Sequence, residues 1–223
     1  MKTNAEATVD VRDMIVVHTA LLREFRLAPS AVELAGRGST TRVRDVAQHI
    51  ELICALLHHH HAGEDALLWP VLSPRLSPRE RALVAVAQSQ HAAIEKALER
   101  VEVSRAAWTE RTSGSTGEDL IVALQALYAA LHEHLDAEER DLLPLAAVHL
   151  DPSEWQSIGE AGAAAIAAKD RLLVFGMFAY ESDPAVLATM LQRAPAPVRL
   201  LVPRLAPRMY ARHAARMLGT RRP

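Results

Sequence analysis

Two segments of the chain repeat one another at a fixed offset, and this repeat limits the fold more than any other feature. His58-His59-His60-His61-Ala62-Gly63-Glu64-Asp65-Ala66-Leu67-Leu68-Trp69-Pro70 aligns with His132-Glu133-His134-Leu135-Asp136-Ala137-Glu138-Glu139-Arg140-Asp141-Leu142-Leu143-Pro144 at a shift of 74 residues. The shift pairs His58 with His132, His60 with His134, Glu64 with Glu138, Asp65 with Glu139, Leu68 with Leu142 and Pro70 with Pro144. A histidine and a carboxylate four residues apart lie about 40° apart around an α-helix, stacked on one face. Each copy can therefore offer an imidazole nitrogen and a carboxylate oxygen to one ion, which is half a metal site.

Composition sets the class. Of the 223 residues half are hydrophobic, and only 4% are aromatic, which favours an all-α chain built as one domain with a sizeable core or one domain with an appendage. The single cysteine, Cys54, excludes a disulfide framework and a cysteine-rich zinc site and fits a reducing compartment. Met1 to Asp13 is polar and mixed in charge, unlike a signal peptide. The longest apolar run, Leu172 to Tyr180, is too short to span a bilayer. The expectation is a soluble cytoplasmic protein.

Periodicity predicts a first helix over about Asp10 to Phe25, with His18 in the middle of its apolar stripe, followed by a loop containing Pro29, Gly36, Gly38 and Ser39. A second helix is expected from about Thr41 to Leu68, its inner face running through Val46, Ile53, Leu57, His60, Glu64 and Leu67, and ended by Pro70 and Pro74. Ser77-Pro78-Arg79-Glu80 is a capping box that starts a third helix reaching about Trp108, with His91 and Glu95 one turn apart. Thr112 to Gly117 reads as a linker in which Ser115 and Glu118 cap a fourth helix, whose stripe is Leu120, Leu124, Leu127, Leu131, His134 and Glu138 up to Pro144. Four such helices with short connections pack as an antiparallel up-down four-helix bundle. His18 and His91 are 73 apart, so the first helical hairpin is echoed by the second, and His18, His60, His91 and His134 are expected to converge at one interior level.

A lone histidine on an apolar stripe is more often a hydrogen-bonded core residue than a ligand. Four on four stripes, two with carboxylates at i+4 that would be costly to bury unpaired, favour a metal. Within the histidine run, His60 with Glu64 is preferred to His61 with Asp65 because the repeat maps His61 onto Leu135, which cannot ligate. His58 and His132 are expected at the surface or behind the ligands, His59 and His61 at the boundary, and substitution of His58 or His61 is expected to leave metal bound. Glu95 is either a ligand or an exposed helix glutamate, and Glu139 competes with Glu138 for the inward position. Imidazole with carboxylate and no thiolate suits iron, manganese or zinc.

One histidine on each of the first and third helices, His-x-x-x-Glu on the second and fourth, and the Leu-Leu-Trp-Pro and Leu-Leu-Pro endings closely resemble the hemerythrin family, specifically the bacterial hemerythrin-like HHE cation-binding domains, over about residues 10 to 146. The resemblance implies a non-haem di-iron centre of two iron ions, oxo- or hydroxo-bridged, inside the bundle. By that likeness His18, His60, His91 and His134 are terminal ligands and Glu64 and Glu138 the bridges. The oxygen-carrying members place a second histidine where this chain has Glu95, which argues against reversible oxygen carriage. An anionic ligand there would favour ferric iron and lower the potential. The resemblance implies a ligand such as dioxygen, nitric oxide or hydrogen peroxide, and does not separate a binding protein from a peroxide- or nitric-oxide-metabolising oxidoreductase.

Residues 151–223 are expected to form a helical extension beyond a metal-binding unit spanning 1–150. Asp151-Pro152-Ser153-Glu154 starts a helix, and further helical pieces fall at Pro184 to Gln192 and Pro197 to Leu218. Residues 195–223 hold seven arginines and no acid, leaving 27 acidic against 18 basic side chains in the first 194, a net of −9. Arg204, Arg208, Arg212 and Arg216 form one stripe, either a solvated face meeting the acidic bundle or a contact for a protein partner or anionic surface, with nucleic acid the less favoured choice. An alternative function follows: an iron-responsive or stress-linked regulatory module acting through these basic helices.

Overall fold

The apolar stripes are long enough to bury whole helix faces, and the computed structural model, which describes residues 9–110 and 114–223, places them face to face. The long helices are α1 (Arg12–Gly36), α2 (Thr40–Gly63), α4 (Pro78–Glu110) and α5 (Gly114–Ala137), with the short α3 (Trp69–Leu72) between α2 and α4. α1 packs on α2 and α5, and α4 packs on the same two, which closes an all-α bundle. Leu21, Phe25, Ile50, Ile53, Leu57, Leu124, Leu127 and Leu131 fill its interior. The Thr112–Gly117 linker lies partly outside the described residues, and α5 already includes Gly114.

α1 continues eleven residues beyond its expected end and passes through Pro29. Buried Ala28, Ala31, Val32 and Ala35 extend its apolar stripe, and that packing outweighs the hydrogen bond proline removes. Pro70 and Pro144 likewise do not end their helices. Each follows a π-helical turn, Glu64–Leu68 and Glu138–Leu142, and sits in the first turn of a new helix, α3 or α6 (Leu143–His149). A wide turn ahead of a proline is cheap, because proline has no N–H to leave unpaired. The inserted residue also rotates the stripe by one position, so Leu68 is buried and Leu67 is 39% exposed. The two π turns are themselves 74 residues apart. Leu68, Trp69 and Leu72 meet their counterparts Leu142, Leu143 and Ala146 in a second apolar cluster.

The C-terminal extension folds back on this frame. α7 (Pro152–Ala165) starts with the Asp151 capping box and packs against α2 and the first π turn, Trp155 Nε1 donating to Asp13 at 3.0 Å. α8 (Arg171–Phe178) and α10 (Ala196–Leu218) pack on each other and on α1, with α9 (Pro184–Met190) between them in sequence. A continuous polar chain fastens α10 down: Arg216 donates to His213 Nδ1 at 3.3 Å, His213 Nε2 to His49 Nδ1 at 3.0 Å, and His49 Nε2 contacts Glu24 at 3.1 Å. Tyr210 donates to Glu24 at 2.6 Å, while Arg23 donates to Glu24 at 2.9 Å and to the Met177 carbonyl at 2.7 Å. α8 and α10 meet at Gly176, where a Cβ would press on the Ala206 carbonyl and lie 2.9 Å from the Tyr210 Cβ. Gly176→Ala is expected to cost about 1–3 kcal/mol by overpacking, read as a lower urea midpoint with an unchanged slope. A wild-type midpoint would show that α8 and α10 do not need this close approach.

Candidate metal centre

At one end of the bundle four helices each project a histidine inward. His18, His91 and His134 are buried, and the His60 side chain is 9% exposed. They form two pairs. His18 Nε2 lies 3.1 Å from His60 Nε2, and His91 Nε2 lies 3.1 Å from His134 Nε2. The 74-residue repeat that relates His60 to His134 thus relates one pair to the other.

The carboxylates span the pairs. Glu64 places Oε1 3.3 Å from His60 Nε2 and Oε2 3.4 Å from His91 Nε2. Glu138 Oε2 lies 3.5 Å from His134 and 3.9 Å from His18. These contacts are within ion-pair distance but lack hydrogen-bond geometry, and both oxygens of Glu64 and of Glu138 remain without a hydrogen-bond partner. Burial first, and then the neighbouring Glu138 and Asp65, push the Glu64 carboxyl well above its usual range. Burial and the neighbouring Glu139 raise Glu138, against the pull of His18. Burial and the surrounding imidazoles hold His60 well below the ordinary value and His134 down to about 3. Imidazole nitrogens and carboxylate oxygens gathered in one buried cluster form a set that a cation would satisfy, since burying unpaired carboxylates is otherwise costly.

The outer nitrogens of three of these four histidines are held. His18 Nδ1 bonds Glu139 at 2.9 Å, His91 Nδ1 bonds Asp65 at 3.1 Å, and His134 Nδ1 bonds Gln90 at 3.1 Å. Such partners fix each ring with Nε2 inward and raise its basicity as a ligand. Asp65 and Glu139 are related by the repeat, as are the residues they orient. Glu139 therefore sits behind His18, while Glu138 occupies the interior.

Two placements differ from the sequence reading. Glu95 does not reach the cluster: its side chain is 45% exposed and pairs with exposed His58 at 3.0 Å on the outside of α2 and α4. His61, expected at the boundary, is 4% exposed, its ring stacked on His91 at 4.1 Å and edge-on to His134 at 5.0 Å. His61 Nε2 is buried with no hydrogen-bond partner. His61, Glu64, His91 and His134 can bring one ligand atom each within 4.8 Å of one another, and so can His18, His60 and Glu64. The repeat hid His61, because its counterpart Leu135 is a fully buried apolar residue and the symmetry breaks there. The uninterrupted histidine run and the spacing of His61 from Asp65 were the sequence signals for it.

Comparison with protein families matches residues 9–146 to the hemerythrin HHE cation-binding domain. The chain belongs to the hemerythrin family. No match was found among curated proteins or solved structures. The match ends within α6, so it covers the helices that carry the cluster and none of residues 151–223. For a hemerythrin-family chain the donors fit the cation-binding role: imidazole nitrogens and carboxylate oxygens with no thiolate, since buried Cys54 is absent from both candidate ligand groups.

Proposed function

We propose that this hemerythrin-family chain is a cytoplasmic non-haem di-iron protein that binds, senses or turns over dioxygen, nitric oxide or peroxide. The observation that carries the reading is the pair of unpartnered carboxylates, Glu64 and Glu138, each lying between two histidine pairs. In this reading His18 and His60 serve one ion, His61, His91 and His134 serve the other, and Glu64 and Glu138 bridge. The metal-binding unit is 1–150, with 151–223 as an extension. When bound, iron would supply Lewis acidity and redox electrons to a small ligand. The chain's own residues set the terms: Asp65, Gln90 and Glu139 orient the imidazoles, and the surrounding apolar residues limit water.

The assignment of His61 distinguishes this centre from one completed by Glu95. His61→Phe keeps a ring to stack on His91 but removes the donor, and it is expected to lower iron content by about one ion per chain. Glu95→Gln is expected to retain both ions. Two ions in His61→Phe, or one in Glu95→Gln, would reverse the assignment. Azide, a small anionic probe, is expected to give a new charge-transfer absorption with the iron-loaded protein. An unchanged spectrum at saturating azide would contradict the small-ligand function.

A second reading, an iron-responsive regulatory module, is favoured by the contact of α7 with the π turn that carries Glu64. It requires proteolytic protection of residues 151–223 to rise on metal loading. Equal cleavage with and without metal counts against it.

A further inference from the structure

Helix α10 buries Ala206, Tyr210, His213, Ala214 and Met217 against α8 and the bundle. Its opposite face is open. Leu201, Leu205 and Met209 are 54%, 44% and 42% exposed and repeat at i+4, so they form one apolar row along the outside of the helix. Arg204, Arg208 and Arg212 form a second row at the same spacing, about 60° around the helix from the first. The expected contact between the arginine stripe and the acidic bundle forms only at Arg216, 3.5 Å from Asp45. Among the described residues no carboxylate lies within ion-pair distance of Arg204, Arg208 or Arg212, and residues 195–223 contain no acid that could neutralise them.

We propose that this outer face of α10, an aliphatic row beside a cationic row, docks on an anionic lipid surface. A helix lying flat in a bilayer interface meets acyl chains and phosphate oxygens along the same length, which suits leucine and arginine rows side by side. Arginine can lay its apolar stem along the aliphatic row while its guanidinium reaches a headgroup phosphate. Nucleic acid offers the phosphates but no apolar phase for Leu201 and Leu205. Among the described residues no helix is long and apolar enough to cross a membrane, so the docking is peripheral. The face lies outside the family match and does not depend on the metal reading.

The test uses the full chain and vesicles of phosphatidylcholine, with or without about one part in three of phosphatidylglycerol, in a sedimentation assay at low and high salt. Partitioning is expected to be at least about tenfold stronger on the anionic vesicles and to fall with salt. The triple variant Arg204→Gln, Arg208→Gln, Arg212→Gln is expected to lose about tenfold or more, and so is Leu201→Ser with Leu205→Ser. All substituted side chains are exposed, and unchanged thermal melting confirms the fold. The proposal is overturned by equal partitioning on neutral and anionic vesicles, by no binding at low salt, or by variants that bind like wild type. It is also overturned if light scattering shows a dimer that the Leu201→Ser, Leu205→Ser variant dissociates, because a second copy would then cover the face. Displacement of the protein from vesicles by a DNA duplex at equal phosphate concentration would assign the arginines to nucleic acid instead.

Discussion

Replacing His60 and His134 together with alanine is expected to reduce bound iron from two ions per chain to background and to remove the stabilisation that metal confers. Each histidine belongs to a different pair, 3.1 Å from His18 or from His91, and each stands within ion-pair distance of a carboxylate. Their loss therefore depletes both halves of the cluster at once. Ligand that binds only the folded state stabilises it by about 4 kcal/mol at a thousandfold excess over its dissociation constant, so the metal-dependent shift in melting temperature should disappear with the metal. His58→Ala is the control, since His58 is exposed and faces Glu95. A double variant that retains iron and its thermal shift would remove these histidines from the metal centre.

The second large effect is expected far from that cluster, at Glu24. Glu24→Gln should destabilise the protein by about 3 kcal/mol, because it removes the buried charge partner of the Arg23 guanidinium and leaves it only the half-exposed Glu181 carboxylate at 3.1 Å. Burial alone would raise the Glu24 pKa. The hydrogen bond and attraction of His49, the Arg23 charge and the Tyr210 hydroxyl outweigh it and hold the carboxyl down to about 2. A carboxylate depressed in this way contributes stability above the ordinary carboxylate range and loses it as the pH falls through that range toward 2. His213, lowered to about 3 by burial and then by His49 and Arg216, adds to the trend. Its unfolded form takes up a proton first, so its contribution starts to fall as the pH drops below about 6.5. Both groups therefore weaken the α10 attachment in acid. Hydrogen-exchange protection across residues 196–218, corrected for the slower intrinsic exchange at lower pH, is expected to fall between pH 7 and pH 5 in wild type as His213 loses its contribution, and to be low at both in Glu24→Gln. Slow exchange in the variant at pH 7 would show that the polar chain does not hold α10.

Residues legible in the sequence were those whose role is periodic. His18, His60, Glu64, His91, His134 and Glu138 fall on apolar stripes or repeat at a constant shift, and both signals follow from helix geometry. The pairing of Asp65 with Glu139 in the same alignment already contained their shared place behind His91 and His18, although only distances reveal it. His61 was not legible, because inward rotation depends on how α2 sits against α4 and α5, and because the repeat sets a leucine opposite it. Glu95 looked inward by spacing from His91, yet α4 turns it toward His58. The π turns were invisible since a proline reads as a stop, whereas the wide turn before it carries the helix through. The Arg23, Glu24 and His49 network escaped notice because its partners, Met177, Tyr210 and His213, lie more than 120 residues away in sequence.

The most direct test of the account is iron content per chain, with the absorption spectrum, on untagged protein reconstituted anaerobically with ferrous iron and then exposed to air. Two irons per chain and near-ultraviolet oxo-to-iron charge-transfer bands are the predicted result. A chain that stays folded but holds no iron, or holds zinc alone, would contradict the di-iron centre.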